Sequence, residues 1–294
     1  DGTPDSSFGI EGKVDIDTFA AADAQLFDGN ACIVCSSGIF VGIAEYNKSP
    51  PDYHILRLTQ KGALDTTFQE GGIWTPRHPD YPEKLIRISS LAPSQDGGIL
   101  ACGTTHRPDG FGLGGLIMKF DTEGNLDKSF GTNGVSETEI EGQFHEFRSV
   151  YEAPPVMLVA GTSLERGWKS LVGLYGTNGS PEESFNGGEP AVHAFVDPPY
   201  VDMWHQAGIA AQTPEKVIAL GRWRQPTSSG PVVGRFNMDG SVDETFVPNP
   251  AKFGTLTDAD VISNASTGFV QPRLDQILVA GESGGKPTIL AVKV

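Results

Sequence analysis

The chain is 294 residues long, with 37 glycines, 21 prolines, three cysteines and a formal charge of −16 at pH 7. That charge argues against nucleic acid and against anionic membrane surfaces, since both need a cationic footprint. No apolar run approaches the roughly eighteen residues of a membrane-spanning helix, which argues against membrane insertion.

Many short apolar runs separated by Gly, Asp and Asn point to an all-β protein. Taken in chain order, a phenylalanine follows a short acidic turn five times: Asp5-Ser-Ser-Phe8, Asp65-Thr-Thr-Phe68, Asp127-Lys-Ser-Phe130, Glu182-Glu-Ser-Phe185 and Asp243-Glu-Thr-Phe246. The steps are 60, 62, 55 and 61 residues, and from Phe246 through the last residue and on to Phe8 is 56. A second marker is an apolar run ending in a small residue: Ile33-Val-Cys35, Leu100-Ala-Cys-Gly103, Leu158-Val-Ala-Gly161, Ile218-Ala-Leu-Gly221 and Leu278-Val-Ala-Gly281. A third run precedes each turn: Ile55–Leu58, Ile117–Phe120, Val172–Tyr175, Val233–Phe236 and Leu290–Val294.

With a segment after each Phe, every unit holds four strands, A to D, which is the content of one propeller blade. The expectation is a five-bladed β-propeller with four antiparallel strands per blade. It forms a single domain with units at about 20–77, 78–140, 141–196, 197–256, and 257–294 joined by 1–19. The last unit lacks a D strand, and residues 13–19 are predicted to supply it against Leu290–Val294. That would close the ring and remove a free sheet edge.

The segment Gly124-Asn-Leu-Asp-Lys-Ser-Phe-Gly-Thr-Asn-Gly134 resembles the signature of the Delta-60 repeat, a tandem propeller-forming repeat of mostly uncharacterised bacterial proteins. The resemblance covers essentially the whole chain and implies the propeller fold, and it brings no enzymatic activity that could be carried over. The fourth copy, with Asn186 after its Phe, and the fifth, with Val247-Pro-Asn-Pro250, depart from it.

Cys32 and Cys35 fall three apart on one predicted strand, so their side chains diverge. Buried free thiols are expected, without a disulfide or a zinc site. The acidic turns Asp121–Asp127 and Asn237–Asp243 superficially suggest calcium loops but lack the spacing and terminal Glu of an EF-hand. They read as tight turns, with calcium as the alternative. Beginning at Asp1, the chain reads as a processed form of a secreted, cell-surface or periplasmic protein.

Function is sought in the connections between strands B and C and between D and A, here predicted at Gly38–Tyr53, His78–Lys84, Thr104–Gly114, Asp197–Trp204 and Arg222–Pro231. They gather large aromatics and cations. Trp168, Trp204, His205, Arg222, Trp223, Arg224, Tyr81 and His145 are the candidate ligand-binding residues, for a glycan, peptide or protein partner. Packing of loop aromatics on themselves is the plainer alternative.

Carboxylates near the starts of A strands, Asp17, Glu83, Glu146, Asp202 and Asp260, are weak metal-ligand candidates. They would suit a channel-centred, metal-dependent hydrolase of lactonase type. A third reading is a structural module of a larger surface protein. No nucleophile elbow, P-loop, dinucleotide fingerprint or His-Glu-x-x-His stretch is present, so catalytic residues are not assigned.

Overall fold

The computed structural model describes residues 2–19, 26–45, 51–69, 71–108, 112–139, 143–164, 168–193, 201–210, 215–224, 229–246, 255–256, 263–271, 276–283 and 286–293. Side chains are described throughout these except at 26–30, 113, 168, 201–210, 222–232 and from 255 onward. The chain divides into two compact units, Asp1–Thr138 and Glu139–Val294.

The first unit holds two four-stranded antiparallel sheets. One runs β1 (Leu26–Cys35), β2 (Gly38–Glu45), β3 (Asp52–Leu58), β4 (Ile73–Trp74). The other runs β5 (Leu85–Pro93), β6 (Ile99–His106), β7 (Gly112–Phe120), β8 (Val135–Thr138). The second unit repeats the plan with β9 (Phe144–Ala153), β10 (Val156–Leu164), β11 (Trp168–Gly176) and β12 (Ala191–His193). Next come β13 (Val201–Ala210), β14 (Lys216–Arg224), β15 (Ser229–Phe236) and β16 (Thr255–Leu256). A three-stranded sheet of β17 (Ser263–Gln271), β18 (Gln276–Ser283) and β19 (Lys286–Lys293) follows. Sequential strands are neighbours in every sheet, so the A–B–C–D order is the blade topology of a β-propeller.

Within each unit a core lies between consecutive sheets. Phe40, Ile55 and Phe68 of the first sheet meet Ile88, Leu116 and Phe120 of the second. Leu158, Val172 and Phe185 meet Val217, Ala219 and Phe236 in the second unit. No helix among the described residues is long and apolar enough to cross a membrane.

The repeat signature has a mechanical cause. In each Asp-x-Ser/Thr-Phe turn the Asp carboxylate accepts the amide and hydroxyl two residues on, as in Thr67 N–H to Asp65 Oδ1 (3.1 Å) and Ser129 N–H to Asp127 Oδ1 (3.0 Å). In three of these turns the Asp also pairs with a cation on the C strand: Arg57 with Asp65 (3.0 Å), Lys119 with Asp127 (3.6 Å), Arg235 with Asp243 (2.9 Å). The guanidinium of Arg57 also lies over the Phe68 ring, and that of Arg235 over Phe246.

Asp243 is the most engaged of these carboxylates. Burial disfavours its charge, but Thr245, Lys216 and Arg235 outweigh burial and hold its pKa down to about 2. A pKa depressed on folding stabilises above the unfolded value near 4 and is lost as pH falls toward 2. Asp243 is buried, so Asp243→Asn should cost about 2 kcal/mol at neutral pH. The gap from wild type, measured by urea unfolding, should narrow as pH falls from 4 to 2.

The small-residue run also has a cause. Strands β1, β5, β9 and β13 each carry an irregularity at the same level, between Gly29 and Ala31, Ile88 and Ser90, Phe147 and Ser149, and Trp204 and Gln206. Such a bulge bends the strand toward its partner. A Cβ at Gly103 would stand 1.8 Å from the Arg87 carbonyl oxygen, and one at Gly161 would stand 1.9 Å from that of Glu146.

In the first sheet the same position is Ile43, facing Gly29. The run there is Phe40–Ile43 on β2, so Ile33–Cys35 is not the B strand but the end of β1. The predicted irregular connection Gly38–Tyr53 is correspondingly mostly strand. Cys32 and Cys35 share β1 as free thiols. Cys32 is exposed rather than buried, whereas Cys35 packs on the core and Cys102 is buried.

The expected outer strand over 13–19 is not formed in the first unit. Ile16–Phe19 is a 3-10 turn, started by Asp15, whose carboxylate accepts the Asp17 amide (3.2 Å). Val14, Ile16 and Phe19 pack on Val41, Ile43, Leu56 and Leu58 without joining that sheet. Apolar contact with a sheet face replaces strand pairing there.

Candidate functional site

The best-defined polar constellation lies where β4 leads into β5, at the sheet end that carries the B–C and D–A connections. Residues 75–84 read Thr-Pro-Arg-His-Pro-Asp-Tyr-Pro-Glu-Lys. Pro76, Pro79 and Pro82 fix three φ angles and remove three donors, which prevents the segment from extending β4.

The segment is tied to the first sheet by Thr75 Oγ1 with His54 Nδ1 (2.8 Å) and by Arg77 with Asp52 (2.9 Å). His54 in turn reaches Glu45 at 3.2 Å. On the second sheet the anchor is Glu137 of β8. It accepts Lys84 Nζ (2.8 Å) and the Thr105 hydroxyl (2.5 Å), with His78 Nε2 at 3.5 Å. Burial works against the Glu137 charge, but Lys84, Thr105 and His78 more than offset it and keep the carboxyl below its ordinary pKa.

His78 is itself buried, and its Nδ1 accepts the amides of Asp80 (3.3 Å) and Tyr81 (3.2 Å). Those two donors assign the proton to Nε2, which faces Glu137. Tyr81 is 49% exposed, with Lys84 Nζ 4.7 Å from its ring centre and the His78 ring at 5.1 Å. Glu83 is exposed beside it.

The other sequence candidates are dispersed or fall outside the described side chains. His145 on β9 is fully buried, with Nε2 3.2 Å from Gln143 Oε1, and burial pushes its pKa down to about 4. Glu146 is buried beside it and takes Arg148 Nη2 at 2.8 Å. Asp17 lies in the 3-10 turn. Among the described residues no group of three or more His, Cys, Asp and Glu is placed to hold a metal ion.

Trp204 and His205 are not in a loop but on β13, and Arg222, Trp223 and Arg224 close β14. Register sets Asp202 opposite Trp223, Met203 opposite Arg222 and Val201 opposite Arg224. Trp168 opens β11 opposite Leu164. The side chains of these residues, and Asp260 altogether, lie outside the described residues. The predicted irregular stretches Thr104–Gly114 and Arg222–Pro231 shrink likewise, because strands run into them.

At the opposite sheet end, a depression of about 410 Å³ is lined by Asp96, Lys119, Asp121, Thr122, Asn125 and Asp127 among others. It is formed by the repeat turns. Asp121 takes the amides of Glu123 (3.0 Å) and Asn125 (2.8 Å), and Lys119 lies 2.5 Å from Asp96, so these groups serve the turns.

Thr105, Lys84 and Glu137 were not legible as a group in the sequence. They lie on β6, before β5 and on β8, and only strand register joins them.

Antiparallel four-stranded sheets in blade order, with polar anchors at one end, define a β-propeller-type protein. A family model described as a domain of unknown function (DUF5122) beta-propeller matches residues 39–68. No curated protein matches the chain. Among solved structures, a candidate 6-phosphogluconolactonase from Bacteroides fragilis is 12% identical, with a TM-score of 0.42 over 90% of this chain and 69% of that one.

Proposed function

We propose that this chain is a non-catalytic binding protein, a five-bladed propeller that takes a glycan or an extended peptide at the sheet ends carrying the B–C and D–A connections. The observation that carries this reading is the segment 75–84. There an aromatic ring is left half exposed while the backbone beneath it is fixed by a buried histidine and by the partly buried Lys84–Glu137 pair. A mere spacer needs neither, and rigid aromatics on fixed loops favour binding because little entropy is lost on contact. In the second unit, Trp168, Trp204, His205, Arg222, Trp223 and Arg224 are the residues proposed to take part in binding.

Five blades are supported by one bond that recurs. The residue after the signature Phe donates its amide to the next sheet's C–D turn in Gln69 to Glu123 (3.2 Å) and in Asn186 to Asp239 (2.9 Å). Gly9, after Phe8, donates to Lys61 in the same way (2.8 Å). Residues 5–14 thus stand to the first sheet as the tail of one blade stands to the next. In this reading residues 5–14 would serve as the tail of the three-stranded sheet β17–β19.

Glycan and peptide arrays probed with wild type, Trp204→Ala and Trp223→Ala test the binding reading. Selective binding by wild type is expected, falling about tenfold or more in each variant, with nearly unchanged melting temperatures. Array binding that both variants retain would remove these tryptophans from the surface. Silence of wild type on both arrays would count against a glycan or peptide ligand.

A further inference from the structure

We propose that Pro79–Glu83 is a preorganised recognition tip for a basic polypeptide segment. This rests on the binding reading above and names the partner class for one part of that surface.

All five residues of the tip are exposed, whereas both flanks are held. Arg77 pairs with Asp52 on one side, and Lys84 pairs with Glu137 on the other. Within the tip the amides of Asp80 and Tyr81 both end on His78 Nδ1, and the Lys84 amide returns to the Tyr81 carbonyl (2.9 Å). Asn133 Nδ2 donates to the Asp80 carboxylate at 3.0 Å. The prolines on either side of Asp80-Tyr81 reduce the freedom of the unfolded segment further. The backbone therefore arrives at its exposed residues already ordered, so a partner would not have to order it.

The chemistry of the tip selects the partner. Lys84 and His78 support one side of the Tyr81 ring, leaving the rest of it as a rigid, amphipathic anchor. Asp80 and Glu83 flank the ring in a chain of net charge −16, so the surface attracts cations and repels acidic partners. Tyrosine at the centre with charges at the edge is the usual plan of a small binding hot spot.

Panning a phage-displayed random peptide library on the wild-type chain, followed by calorimetry on the enriched peptides, tests this. Enriched sequences should be rich in Lys and Arg, and their affinity should fall with salt. Tyr81→Ala should weaken them about tenfold or more, and Asp80→Asn with Glu83→Gln should remove most of the salt dependence. His78→Gln, which loosens the tip without altering its exposed side chains, should weaken binding less, and through a more unfavourable entropy.

Tyr81 is exposed, so its variant should keep the wild-type melting temperature. Enriched peptides that bind Tyr81→Ala as tightly as wild type would overturn the proposal and leave the broader binding reading standing. Acidic or uncharged peptides, or none, would also overturn it, whereas array binding that both tryptophan variants retain would count only against the tryptophans of the broader reading.

Discussion

Gly161→Ala and Gly103→Ala are each expected to lower stability by roughly 3 kcal/mol, the upper end of the usual cost of overpacking. Each new methyl would sit under 2 Å from a backbone carbonyl oxygen, Glu146 or Arg87, which cannot rotate away as a side chain could. To make room, the bulge in β9 or β5 must flatten. That would shift the register of every residue on the far side of it by one and turn core side chains outward.

Gly42→Ala is the control. Its methyl would meet the Ala31 methyl at 3.5 Å, Ile88 at 3.8 Å and the Ala31 nitrogen at 3.9 Å, all ordinary contacts, and the matching positions in other sheets are Cys102 and Ala160. That change should be within about 1 kcal/mol of wild type, aided by a less flexible unfolded chain. Urea unfolding of the three variants checks the contrast. Equal costs at all three sites would mean that the bulges do not require glycine.

Deleting residues 1–19 is expected to cost about 4 kcal/mol. Phe8, Val14, Ile16 and Phe19 are partly buried, and roughly half of the 1.5–3 kcal/mol assigned to a fully buried side chain of this kind applies to each. The uncovered face of Val41, Ile43, Leu56 and Leu58 should bind a hydrophobic dye and promote association.

The same deletion distinguishes a simple cover from the missing strand of a fifth blade. Hydrogen exchange should show faster exchange in β2 and β3 in either case. If the segment is also the fourth strand beside β19, amides of Thr288–Leu290 should lose protection as well. Under that reading, the register of Val135 opposite Met118, carried to the last sheet, would set Lys13 opposite Leu290. Unchanged exchange in β19 would refute the five-bladed reading and leave the packing energy intact.

Much of the fold was legible because its determinants are local. A carboxylate that caps its own turn two residues on and an alternating run before it leave marks within a dozen residues. Repetition at about sixty residues makes those marks readable even where one copy departs. Reading failed where a mark had lost its cause from sequence alone. In the first sheet the bulge meets Ile43, with Gly29 on the opposite strand, so the run without a terminal glycine was passed over for Ile33–Cys35.

The site was less legible. Tyr81 is legible as a loop residue, but His145, chosen by the same rule, is fully buried because β9 begins before it. The Glu137 cluster depends on residues from β6, β8 and the segment before β5, brought together by antiparallel register. By itself, then, the sequence determined the all-β class, the repeat and its turns, since turn chemistry and alternation act between near neighbours. Only the tertiary structure decided which polar side chains meet and which aromatics stay exposed, because burial and charge pairing arise between strands that are distant along the chain.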